Sequence, residues 1–97
     1  MEYRSANRYD IDLFVKNRVE FATSIRDIDD VPAFERTTRA YVEAHIDNDL
    51  IVFLAMDNGA IIASCMACLY HTAPLPGCLS GKIAEIFNVY TRKEYRR

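Results

Sequence analysis

Apolar residues along this chain change their period twice, and the changes divide it into elements. Glu2 to Ala6 reads as a short edge strand that turns Tyr3 and Arg4 to opposite faces. From Asp10 the spacing becomes helical. Ile11, Phe14, Val15, Val19 and Ala22 share one stripe, with Asp10 as the expected N-cap and Asp12 in the electropositive first turn. This helix is expected to end near Thr23 or Ser24. A second helix follows Asp29 and Asp30, with Pro32 in its opening turn, where a missing N–H costs nothing. Phe34, Thr38, Tyr41, Val42 and His45 form its stripe, and Glu35 and Arg39, four apart, read as a solvated pair.

Beyond Asn48 and Asp49 the pattern becomes that of strands. Leu50 to Met56 is a continuous apolar run, Asp57-Asn58-Gly59 is a hairpin turn, and Ala60 to Tyr70 is a second run of the same character. Neither run alternates with polar residues, so both faces of this antiparallel pair are expected to be covered, one of them by the two helices. No segment of the sequence offers itself as cover for the other face. His71 to Gly81, with two prolines and two glycines, reads as a loop. Lys82 to Thr91 returns as a strand interrupted by Glu85 and Asn88. The expected fold class is α/β, more closely α+β: a mostly antiparallel sheet of about four strands with two N-terminal helices on one face. Residues 1–97 read as one domain, without repeats or linkers.

Composition narrows the classes. A hydrophobic share of 51% in 97 residues excludes a disordered chain. A formal charge of −2 gives no general attraction to phosphate backbones or anionic lipid, so neither a nucleic acid nor a membrane is an expected partner. No apolar run approaches the roughly 20 residues of a membrane span, and Met-Glu-Tyr-Arg does not begin a signal peptide. The expected compartment is the cytoplasm. Cys65, Cys68, His71 and Cys78 are four residues of the types that bind zinc. Cys65 and Cys68, however, are three apart on a strand and face opposite ways, so they read as small core residues.

The order strand, helix, helix, hairpin, strand, followed by Asn88-Val89-Tyr90-Thr91 and Glu94-Tyr95-Arg96-Arg97, resembles the N-terminal half of the GNAT superfamily of N-acetyltransferases. The resemblance covers essentially the whole chain. It implies acetyl-CoA as co-substrate, with backbone amides at Val89, Tyr90 and Thr91 bonding its pantetheine arm. It also places Arg96 and Arg97 at the first two positions of the family's R/Q-x-x-G-x-G/A turn, whose amides hold the pyrophosphate at a helix N-terminus. The glycines of that turn are not among these residues. The chain therefore reads as truncated before the pyrophosphate loop, and is expected to bind little acetyl-CoA and to be inactive unless the other half is supplied.

The implied reaction transfers an acetyl group to an amine, which must be neutral to attack, so a base is useful. Glu85 is the candidate base, on the strand bordering the thioester, with a raised affinity for protons if buried between Ala84 and Ile86. Its other reading is a surface residue paired with Lys82 or an arginine. Asn88 either orients a carbonyl or water or satisfies a β-bulge. Tyr90 and Tyr95 also suit packing. His45 reads as a hydrogen-bonded helix residue and His71 as a surface one. Arg26, Asp27, Asp29 and Asp30, between the helices, are candidates for attracting a cationic acceptor, although helix capping explains two of the acids without a substrate. A different class of function is a non-catalytic module whose exposed sheet face and last strand associate with a second copy or another partner, which makes a homo-oligomer, simplest as a dimer, the expected state. A small metal or redox protein is the third.

Overall fold

In the computed structural model, which describes residues 1–96, the elements follow one another in the expected order. They are β1 (Glu2–Ser5), a 3-10 turn (Arg8–Asp10), α1 (Ile11–Ile25), α2 (Val31–His45), β2 (Leu50–Asp57), β3 (Ala60–His71), β4 (Lys82–Thr91) and a second 3-10 turn (Lys93–Tyr95). The four strands form one antiparallel sheet in the order β1-β2-β3-β4, with both helices on one face. The fold is α+β. The β2–β3 hairpin closes through Asn58 and Gly59 at φ 51° and 77°, the paired positive values that a two-residue turn of this hand requires. Gly81 ends the β3–β4 loop at φ 68°, where an added Cβ would lie 2.2 Å from the Thr72 carbonyl oxygen. No helix among the described residues is long and apolar enough to cross a membrane.

Two expectations are corrected. Asp10 does not cap α1 through its side chain. Asn7 caps the preceding 3-10 turn by accepting from the Tyr9 N–H at 2.9 Å, and Asp10 reaches back to accept from the Asn7 N–H at 2.8 Å. The Asp10 carboxylate also takes both arms of the Arg4 guanidinium, at 2.6 and 2.7 Å, and so ties β1 to the start of α1. The second correction concerns cover. Burial in β2 alternates strictly, with Leu50, Val52, Leu54 and Met56 packed under Phe14, Val15 and Val42 of the helices, while Ile51 and Phe53 face outward. The outer face is bare among the described residues although it is apolar. Phe53 is 44% exposed, Ile86 54% and Val89 69%.

Arg4, by hydrogen bonding first of all, holds the Asp10 carboxyl below the usual carboxylate range, against the opposing effect of burial. A depressed folded-state value contributes stability that is present above the unfolded pKa, about 3.9, and lost as pH falls through the folded value. Asp10→Asn is therefore expected to destabilise the chain at neutral pH, with the gap to wild type closing below about pH 4. Urea unfolding at several pH values measures it; a gap independent of pH contradicts the assignment.

Candidate active site

β4 is an edge strand with a bulge. Its register with β3 shifts between Ser64 and Met66: Ser64 pairs with Tyr90 and Met66 with Phe87, so Asn88 and Val89 together stand opposite Cys65. Asn88 adopts φ 55°, a left-handed conformation that asparagine tolerates better than most residues. The bulge turns its amide inward, where it is 9% exposed. Asn88 Nδ2 donates to Ser64 Oγ at 3.3 Å, Ser64 Oγ donates to Asn17 Oδ1 at 2.6 Å, and Arg18 Nη1 donates to Asn88 Oδ1 at 2.9 Å. Asn17 Nδ2 is buried without a partner among the described residues. Asn88 thus takes the bulge role, at the centre of a buried polar chain linking α1, β3 and β4.

The end of β4 is anchored by a second group. The Tyr90 hydroxyl donates to Glu20 at 2.8 Å, the same carboxylate oxygen accepts from Arg92 Nε at 3.1 Å, and the Tyr90 ring packs on Phe21 with centroids 5.0 Å apart. Burial and the bond to Glu20 raise the Tyr90 pKa. The Arg92 N–H donates to the Ile62 carbonyl at 2.8 Å, so strand alternation turns the backbone groups of Thr91 to the open edge. There the Thr91 carbonyl accepts from Arg96 Nε at 2.6 Å, and the Arg96 guanidinium lies 5.7 Å from the Tyr90 ring centroid. Arg97 lies outside the described residues. Tyr95 donates to Asp57 at 3.0 Å and serves the hairpin end.

Beside the bulge, between the helices and the sheet, is a cavity of about 400 Å³. Arg18, Phe34, Thr38, Tyr41, Met66, Cys68 and Phe87 line it. The Tyr41 hydroxyl and Cys68 Sγ are 3.6 Å apart, and this contact, with burial, pushes the tyrosine up to about 12. Glu85 pairs across the ladder with Cys68 and therefore stands on the same face of the sheet, next to a cavity-lining residue but not itself lining the cavity. It is exposed, and accepts from the Tyr70 hydroxyl at 3.0 Å. The expected burial between Ala84 and Ile86 is not found, and its partner is a tyrosine instead of a cation.

The remaining candidates separate. His45 Nδ1 is 2.6 Å from Asp49 and its ring stacks on Tyr41 at 4.4 Å; His71 is exposed. Cys65 faces outward with Phe53 while Cys68 faces the helices, so the two share no ligand position. No group of three or more metal-binding side chains exists among the described residues. Between the helices, Asp30 caps α2 by accepting from the Ala33 N–H at 3.0 Å. Arg18 was not foreseen. It lies four residues after Phe14 and three after Val15, so a cation on the apolar stripe was the signal.

No family model matches the chain, and no curated protein sequence does. Solved structures do. A predicted acetyltransferase from Clostridium acetobutylicum, solved with acetyl-CoA, is 26% identical with a TM-score of 0.78, over 98% of this chain and 62% of its own. A GCN5-related N-acetyltransferase from Ralstonia eutropha JMP134 is 22% identical with a TM-score of 0.81, over 99% and 65%. Glucosamine-6-phosphate N-acetyltransferase from Arabidopsis thaliana is 17% identical with a TM-score of 0.64, over 99% and 64%. The chain has a partial GNAT acetyltransferase fold, and it spans less than two thirds of the length of these neighbours.

Removing the Asn88 amide deprives Ser64 and Arg18 of a partner in a buried setting. Asn88→Ala is expected to cost about 1–3 kcal/mol of stability. Asn88→Gly relieves the backbone strain while losing the same bonds, and is expected to fall between the two. Chemical denaturation ranks the three; an alanine variant as stable as wild type contradicts the buried chain.

Proposed function

We propose that this chain is the acceptor-binding part of an N-acetyltransferase that uses acetyl-CoA. The observation that carries the reading is the bulge at Asn88 on an open edge of β4, within a partial GNAT fold. The segment Val89-Tyr90-Thr91 would hold the pantetheine arm through its main chain, with Thr91 offering the groups that alternation turns to the open edge. Acetyl-CoA supplies an activated acetyl thioester. Glu85, exposed on the inner face beside Cys68, takes a proton from the acceptor ammonium through water and leaves the amine free to attack. Asn88 positions β4 and does not itself react. Arg96 sits over the end of the same edge. No glycine follows Gly81 in these 97 residues, so they do not contain a glycine-rich pyrophosphate loop, and their affinity for acetyl-CoA is accordingly weak.

Two measurements on the 97-residue chain test this. Calorimetry is expected to show no saturable acetyl-CoA binding at micromolar concentration, and a micromolar isotherm overturns that part. Amide NMR with pantetheine at about 10 mM is expected to shift Val89, Tyr90 and Thr91 selectively. Shifts confined to other strands, or none, remove the acetyltransferase reading.

The bare sheet face favours a second reading, a module that associates with its own copy. Ile51, Phe53, Leu69, Ile86 and Val89 present an apolar surface of the kind that marks association sites. It also carries a hollow of about 540 Å³ between β1 and the end of β4. Light scattering at high protein concentration is expected to report twice the mass of one chain, reduced to one by Phe53→Asp combined with Ile86→Asp. A monomer throughout rules it out.

A further inference from the structure

The cavity between the helices and the sheet holds one cation that no carboxylate answers. Arg4, Arg8, Arg39 and Arg92 each reach an acid side chain, whereas Arg18 is in none of the ion pairs among the described residues. Its contacts are neutral: the Asn88 amide oxygen at 2.9 Å and the face of Phe34, 5.6 Å from the guanidinium carbon to the ring centroid. Burial pushes the Arg18 guanidinium below its ordinary value, while carboxylate partners raise those of Arg4 and Arg39. A half-buried charge without a counter-charge carries part of the cost of desolvation, and an anion arriving in the cavity would recover it. One Arg18 amine group is committed in part to Asn88, which leaves the rest of the planar fork free to take two oxygens of a carboxylate.

The other walls define the rest of the ligand. Phe34, Val42, Met66 and Phe87 are apolar, and the polar lining atoms besides Arg18 are neutral hydroxyls and a thiol. A single cation with neutral neighbours matches a monoanion better than a doubly charged phosphate ester. A volume of about 400 Å³ suits a small molecule. We propose that the cavity binds an acceptor of the amino-carboxylate class, its carboxylate on the Arg18 guanidinium, its aromatic or branched aliphatic body against Phe34, Met66 and Phe87, and its amine towards Glu85. The identification of the occupant as acceptor rests on the acetyltransferase reading; the carboxylate site itself does not.

The test is binding of 3-phenylpropionate and of its neutral isostere 3-phenylpropionamide to the 97-residue chain, followed by amide NMR. The acid is expected to bind at least about ten-fold more tightly than the amide, with shifts on α1, α2 and β3 around the cavity. Arg18→Met is expected to abolish that preference, and Arg18→Lys to restore part of it. Equal binding of acid and amide, binding of neither at about 10 mM, or a preference that survives Arg18→Met each overturn the proposal. Arg18 also braces Asn88, so a methionine variant that fails to fold leaves the acid–amide comparison in the unaltered chain to decide. Neither probe carries an acetyl donor, and loss of the pantetheine shifts with the acid preference intact would remove the acetyltransferase reading while keeping the carboxylate site.

Discussion

The left-handed backbone at Asn88 is the constraint on which the site is built. A bulge needs one residue out of register, and a non-glycine residue at φ 55° carries a conformational cost of roughly 1 kcal/mol or more. Asparagine lowers that cost and also creates a demand, because its amide is turned into the interior. Ser64 and Arg18 meet the demand. Each neutral bond contributes about 1 kcal/mol and the one from the guanidinium about 1.5–3 kcal/mol, enough to offset the strain. The same guanidinium is thereby drawn over the cavity between the helices. Bulge, buried polar chain and unanswered cation are consequences of one backbone choice.

That choice also explains the division of labour between the two faces of the sheet. On the inner face, polar groups are few and satisfied by one another, apart from Asn17 Nδ2, and the cavity is walled by side chains from four elements. On the outer face, apolar side chains from all four strands lie open, with Val89 projecting there because the bulge displaces it from the ladder. The continuous apolar character of β2 and β3 comes from this arrangement. Alternation was hidden because the residues of both faces are hydrophobic, so the sequence pattern located the strands and could not say which side was covered.

Legibility followed the range of the interactions involved. The hairpin, the helix stripes and β4 rest on local spacing and turn chemistry, and all were readable. Asp10 was misread as a cap because its partners, Arg4 and the Asn7 N–H, precede it, and Asn7 had taken the capping role. Asn88 and Glu85 stood out as polar breaks in an apolar strand, but burial decides their roles and burial is tertiary. Arg18 and Asn88 are 70 residues apart, and Tyr41 and Cys68 are 27 apart. No local pattern joins them. What the sequence did hold was a cation four residues after Phe14, on the stripe that faces the sheet, where long side chains commonly escape to solvent. Here Asn88 and the Phe34 ring retain it.

The middle of α1 couples the cavity to the open edge. Asn17, Arg18, Glu20 and Phe21 occupy little more than one helical turn, and each touches β3 or β4: Ser64, Asn88, the Tyr90 hydroxyl with Arg92, and the Tyr90 ring respectively. A displacement of α1 by even about 1 Å along its axis would strain these four hydrogen bonds together. The helix therefore cannot adjust to a ligand in the cavity without moving β4, nor can β4 shift at its edge without moving Arg18. Under the proposed function, two ligands held on opposite sides of that strand would meet a single rigid body, which would keep an amine and a thioester at a constant separation.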